Sequence, residues 1–167
     1  MAVYLLDSNI FIQAHQTTYP FDVVPGFWQK LKELSAKEVI KSIDKVKKEV
    51  CDIGNPDKLA NWLETDIGKD FFVDSSPCID VYAEIAHWTN SNSQYTQFAK
   101  SRSEVLSTDL ADPWLIAYAK KNNCVIVTHE TSQPEIKKRI KIPEACAYFG
   151  VRFISPIQMF RELGETF

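Results

Sequence analysis

Four acids stand where their chain positions could bring chemistry together: Asp7, Glu49, Asp112 and Glu130. Asp7 closes the apolar run 2–6, which reads as a short buried strand. Ligands of open α/β sheets bind outside the carboxyl ends of the strands, so a carboxylate at such an edge is well placed. Glu49 sits beside the apolar stripe of Ile43, Val46 and Val50 on a helix. Asp112 opens a helix over 112–122, with Pro113 in the first turn, where a missing N–H costs nothing. Glu130 lies two residues past the strand expected at 124–128. Gathered in one cleft, such carboxylates repel. At about 4 Å and an effective dielectric near 20, each pair costs on the order of 4 kcal/mol. A divalent cation makes the cluster tolerable, and hard oxygen ligands suit Mg²⁺ or Mn²⁺.

Each acid alone has an ordinary structural reading. Asp7 and Asp112 suit turns or helix N-caps. Glu49 stands among Lys45, Lys47 and Lys48 and suits a solvated helix face, and Glu130 suits a turn. The chemical reading rests on the ordered set.

The elements that must position these acids alternate. A short helix is expected from Ser8 to His15, and another beginning near Pro25 with Phe27, Leu31 and Leu34 at helical spacing. Val39 and Ile40 suit a short extended piece. Helices follow from Ser42, from about Asp57 to Thr65, over 79–88, and over 94–106. The run 71–73 is apolar, 124–128 is the clearest strand, a helix is expected over 143–148, and 151–154 suits a last strand before a helix opened by Ser155 and Pro156. Strands alternating with helices predict a single domain over 1–167. Its fold class is α/β, a three-layer α/β/α architecture with a short central parallel sheet and a helical insertion between about 43 and 106.

Composition narrows the function classes. A chain of 167 residues with 45% hydrophobic residues can bury a real core. A net charge of −3 is not that of a protein coating nucleic acid by bulk electrostatics, although a metal site offsets local negative charge. The cysteines at 51, 78, 124 and 146 form no CxxC pair, which argues against a zinc ribbon. No signal peptide is recognised and no apolar run approaches the roughly 20 residues that span a bilayer, so a cytoplasmic, membrane-free setting is expected. There is no Gly-rich phosphate loop and no HExxH.

The order Leu5-Leu6-Asp7-Ser8-Asn9, then Glu49 in Lys-Val-Lys-Lys-Glu-Val, then Asp112-Pro-Trp-Leu-Ile-Ala-Tyr-Ala, then Val125-Ile-Val-Thr-His-Glu130 resembles a PIN-domain nuclease across nearly the whole chain. The resemblance is strongest to a poorly characterised branch similar to VapC-type toxins. It implies a metal-dependent ribonuclease using Mg²⁺ or Mn²⁺, often the toxin half of a toxin–antitoxin pair. It assigns Asp7, Glu49 and Asp112 to three acidic positions, with Asp7 and Asp112 as first choice for direct ligands. Glu130 stands where the family usually has Asp, one methylene longer. Asp109, one turn before Asp112, is a further acid for the site, and Asn9 and Thr128 are candidates to orient carboxylates by hydrogen bonding. Expected partners are an RNA substrate, a cognate antitoxin covering the cleft, and a second copy in a homodimer.

The basic run Lys137, Lys138, Arg139 and Lys141 suits phosphate contacts or, equally, a solvated face. Trp28, Trp88 and Trp114 suit base stacking or, more simply, the core. Two other classes stay open on sequence alone. One is a catalytically inactive PIN-like module that binds RNA or protein. The other is a metal-dependent phosphatase or flap-type DNA nuclease on a related fold.

Overall fold

In the computed structural model, which describes residues 2–53, 56–91, 111–131 and 142–167, five short strands form one sheet. They are β1 (Tyr4–Leu6), β2 (Ile40–Ile43), β3 (Phe72–Val73), β4 (Val125–Val127) and β5 (Phe153–Ile154). The order is β3-β2-β1-β4-β5 and every pairing is parallel. Parallel strands need crossovers, and eight α-helices among the described residues supply them and cover the sheet. The architecture is three-layered α/β/α.

The helices are α1 (Ser8–Gln13), α2 (Pro25–Ala36), α3 (Asp44–Ile53), α4 (Pro56–Thr65), α5 (Ile79–Ser91), α6 (Ala111–Asn122), α7 (Ile142–Phe149) and α8 (Pro156–Leu163). A π-helical turn, Ala14–Thr18, prolongs α1. Proline opens α2 and α8 at positions where its missing N–H is harmless, and the Ser155 hydroxyl accepts from the Gln158 N–H to cap α8. Asn123 ends α6 in the left-handed region at φ 54°, which an asparagine tolerates. One hydrophobic cluster fills the layers, with Leu5, Leu6, Phe11, Leu31, Ile43 and Ile126 almost wholly buried. None of the helices among the described residues is long and apolar enough to cross a membrane.

Two features place the site. β1 and β4 run in register, Tyr4 beside Val125 and Leu6 beside Val127, so both strands end level. The chain leaves β1 toward β2 on one side while β4 lies on the other, which makes this edge the switch point of the sheet. On that side α1 lies against α3, and α3 against α6.

The structure corrects the sequence reading in two places. Ser42 and Ile43 belong to β2, not to the following helix, which starts at Asp44. The Ser42 N–H donates to the Phe71 carbonyl, and its hydroxyl donates to Leu6 O at 2.6 Å across the sheet. The stretch from 43 onward is also not a purely helical insertion. It carries the edge strand β3, paired Ser42 to Phe72 and Ile43 to Val73. The helix expected over 94–106 lies outside the described residues.

Candidate functional site

Asp7 follows β1 directly, and its N–H donates to Val127 O at 3.0 Å, which sets it beside Thr128 at the end of β4. Its carboxylate is buried and held from two sides. Oδ1 accepts from the Ser8 N–H at 2.7 Å, and Oδ2 accepts from the Thr128 hydroxyl at 2.8 Å. The Thr128 oxygen in turn accepts from Asn9 Nδ2 and from the Glu130 N–H, both at 3.1 Å. Asn9 closes the ring by accepting the His129 N–H on its Oδ1 at 3.2 Å. Thr128 therefore orients Asp7 directly, and Asn9 acts through Thr128.

Glu49 reaches the same place from α3. The Ser8 hydroxyl donates to its Oε1 at 2.5 Å, and the Ala111 N–H donates to its Oε2 at 3.3 Å. Asp112 sits buried in the first turn of α6. Glu130, half-buried, accepts the Ile142 N–H on Oε2 at 3.0 Å. All four acids line one cleft of about 500 Å³, together with Ser8, Asn9, Ile12, Gln13, Gln16 and Thr17. Among the described residues on that lining there is no lysine or arginine.

Three helices begin at this cleft, and an acid meets the first N–H of each. Asp7 takes that of α1, Glu49 that of α6 and Glu130 that of α7. The positive ends of the helix dipoles thus face the carboxylates and offset part of their mutual repulsion. The offset is incomplete at Asp7. Burial pushes its carboxyl up from 3.8 to about 7, and the charges of Glu130 and Glu49 push the same way, against the Thr128 and Ser8 hydrogen bonds. The Cys146 thiol, wholly buried, is pushed up by desolvation first and then by the charges of Asp112, Glu130, Asp7 and Glu144.

The donor set is all oxygen and anionic, which fits a hard divalent cation. The fit is chemical rather than preformed. Among the described residues, no group of three or more His, Cys, Asp or Glu side chains is arranged to hold an ion as it stands. Glu49 and Glu130 are each turned onto a helix N–H.

Because Glu130 bonds the start of α7 across a span of 12 residues, Glu130→Ala is expected to destabilise the fold by about 1 kcal/mol, as loss of a helix cap does. Urea unfolding checks this. A fall of less than a few tenths would mean that the Ile142 N–H is satisfied without Glu130.

Other expected site residues separate in the structure. Asp109, Lys137, Lys138, Arg139 and Lys141 lie outside the described residues. Trp28 and Trp114 are core, the first donating its indole N–H to Tyr19 O at 2.7 Å and the second stacked on Tyr82 at 4.5 Å. Trp88 is half-buried against Tyr148 and Phe149. His129 is half-buried, and burial lowers its pKa. All four cysteines are free.

Sequence reasoning did not single out Ser8 as the bridge between Asp7 and Glu49, nor Gln13, Gln16 and Thr17 on the cleft wall. The signal for the wall is the spacing 9, 12, 13, 16, 17, one continuous stripe of a helix starting at the first acid. No curated protein matches the chain. A family model, described as a domain of unknown function (DUF4411), matches residues 4–167, so the chain belongs to the DUF4411 family.

Proposed function

We propose that this chain is a metal-dependent endoribonuclease of the PIN type that hydrolyses RNA phosphodiester bonds. We further propose that it is the toxin half of a toxin–antitoxin pair. The observation that carries the nuclease reading is the convergence of Asp7, Glu49, Asp112 and Glu130 from four separate segments on one cleft at the sheet's switch point. Mg²⁺ or Mn²⁺, when bound, supplies a water of lowered pKa and positive charge for the phosphate oxygens. Asp7 and Asp112 would hold the ion, with Glu49 and Glu130 reaching it directly or through water.

The chain's own residues do the rest. Thr128 and Ser8 fix the Asp7 carboxylate in one orientation. Glu49 and Glu130, each less buried than Asp7, would take the proton released on hydrolysis. No lysine or arginine stands among the described lining residues to compete with a cation there. An antitoxin would cover the cleft with a basic side chain against these acids, and the active form would be a homodimer.

The test is cleavage of a single-stranded RNA panel with Mg²⁺ or Mn²⁺. Asp112→Asn is expected to lower the rate at least about a hundredfold, as loss of a charged transition-state contact does. Calorimetric titration with Mn²⁺ should show saturable uptake that the variant loses. A variant that cuts as fast as wild type sinks the assignment.

One observation favours a second reading, a non-cleaving RNA- or protein-binding module. Three of the acids already serve as helix caps, and no ion-holding group is preformed among the described residues. Absence of saturable Mn²⁺ uptake by the wild type would favour it.

A further inference from the structure

The cleft has two chemically different walls. One carries the acids. The other is the stripe of α1 and its π-helical extension, where Gln13, Gln16 and Thr17 face the same space. This second wall is neutral, polar and largely exposed to solvent. The Thr17 and Thr18 hydroxyls both donate back to Gln13 O, at 2.9 and 3.1 Å, which ties down the backbone that carries the stripe.

We propose that Gln13 and Gln16 are specificity-determining residues that read an unpaired base of single-stranded RNA beside the scissile phosphate. The proposal rests on the ribonuclease reading of the same cleft. The chemistry favours it for three reasons. A lysine or arginine on this wall would compete with a cation for the carboxylates, whereas an amide carries no charge to do so. Each glutamine amide offers a donor and an acceptor side by side, which matches the edge of a base and not a phosphate. A base can reach such a wall only when it is splayed out of a duplex, so the substrate is single-stranded at this position. Ile12, on the same cleft lining, gives the base an apolar surface to lie against.

The experiment has two arms. In the first, cleavage of four single-stranded RNAs that differ only in the base beside the cut site is followed with Mn²⁺. Wild type is expected to prefer one base. Gln13→Ala with Gln16→Ala should raise KM for the preferred RNA about tenfold, with kcat much less affected, and should level the preference. In the second arm, binding of the same RNAs to Asp7→Asn, with and without the two glutamine changes, is read by fluorescence anisotropy. The glutamine changes should abolish base preference in binding as well. Both side chains are exposed, so the changes leave the fold intact, which circular dichroism checks. Unchanged base preference in either arm overturns the proposal while leaving the nuclease reading standing. Base-selective binding that depends on Gln13 and Gln16, without cleavage by wild type, overturns the nuclease reading and retains base recognition. No RNA binding by Asp7→Asn together with no cleavage by wild type overturns both.

Discussion

Asp7→Asn is expected to abolish RNA cleavage and, in metal-free protein at pH 8, to make the fold more stable. The two effects share one cause. The folded state holds the Asp7 carboxyl at about 7, against an ordinary value of 3.8. A group whose folded pKa is raised stabilises the fold fully below its unfolded pKa, and that contribution is lost as pH rises through the folded pKa. Asp7 thus favours folding below about pH 4 and stops doing so above about pH 7. At pH 8 the folded state carries a buried charge that the unfolded chain hydrates freely. A gap of about 3 pH units corresponds to at most about 4 kcal/mol.

Asparagine removes the charge and keeps an acceptor for the Ser8 N–H, but its Nδ2 faces the Thr128 oxygen, which already takes two donors. The net gain at pH 8 is therefore about 1–3 kcal/mol. It should shrink to nothing or reverse by pH 4, where wild type is itself neutral at this site. Urea melts with EDTA at both pH values check this. An N-cap reading of Asp7 predicts a near-neutral effect at both. Lower stability of the variant at pH 8 would show that the anion is worth more here as a cap than it costs buried.

How far this was readable in the chain differs residue by residue. Asp7 and Thr128 were legible because each ends an apolar run, and parallel strands ending level put their next residues side by side. Glu49 was legible only as an acid near a helical stripe. Its partners, Ser8 and the Ala111 N–H, are 41 and 62 residues away, and no local pattern encodes such pairs. The same holds for Glu130 on Ile142. Ser42 and Ile43 read as helix in the sequence because Ile43, Val46 and Val50 repeat at helical spacing, yet Ile43 is also the last residue of a buried strand. A short apolar run fits both periods, and only the pairing with Phe72 and Val73 decides between them. The glutamine wall is not legible in the sequence, because a neutral amide carries no signal apart from the cleft that its helix face shares with Asn9.

Thr128→Val tests the other half of the arrangement, the hydroxyl that keeps Asp7 usable as an anion. Valine has nearly the shape of threonine, so packing is preserved and only the polar contacts are lost. Three go at once: the donor to Asp7 Oδ2, and the acceptor for Asn9 Nδ2 and for the Glu130 N–H. Asn9 and Glu130 are half-buried and recover part of the loss from water, whereas the Asp7 oxygen is buried and does not. A destabilisation of about 3 kcal/mol is expected at pH 8, against less than about 1 kcal/mol for Thr128→Ser, which keeps the hydroxyl. The loss should be smaller at pH 5, because the hydroxyl favours the ionised form of Asp7 and that form is then sparse. Denaturant unfolding of both variants at the two pH values gives the answer. A valine variant within 1 kcal/mol of wild type at pH 8 would mean that another donor reaches Asp7, and a loss independent of pH would assign Thr128 to holding the loop together. A loss that grows with pH identifies Thr128 as the residue that keeps a buried carboxylate charged, which any cation drawn to this cleft requires.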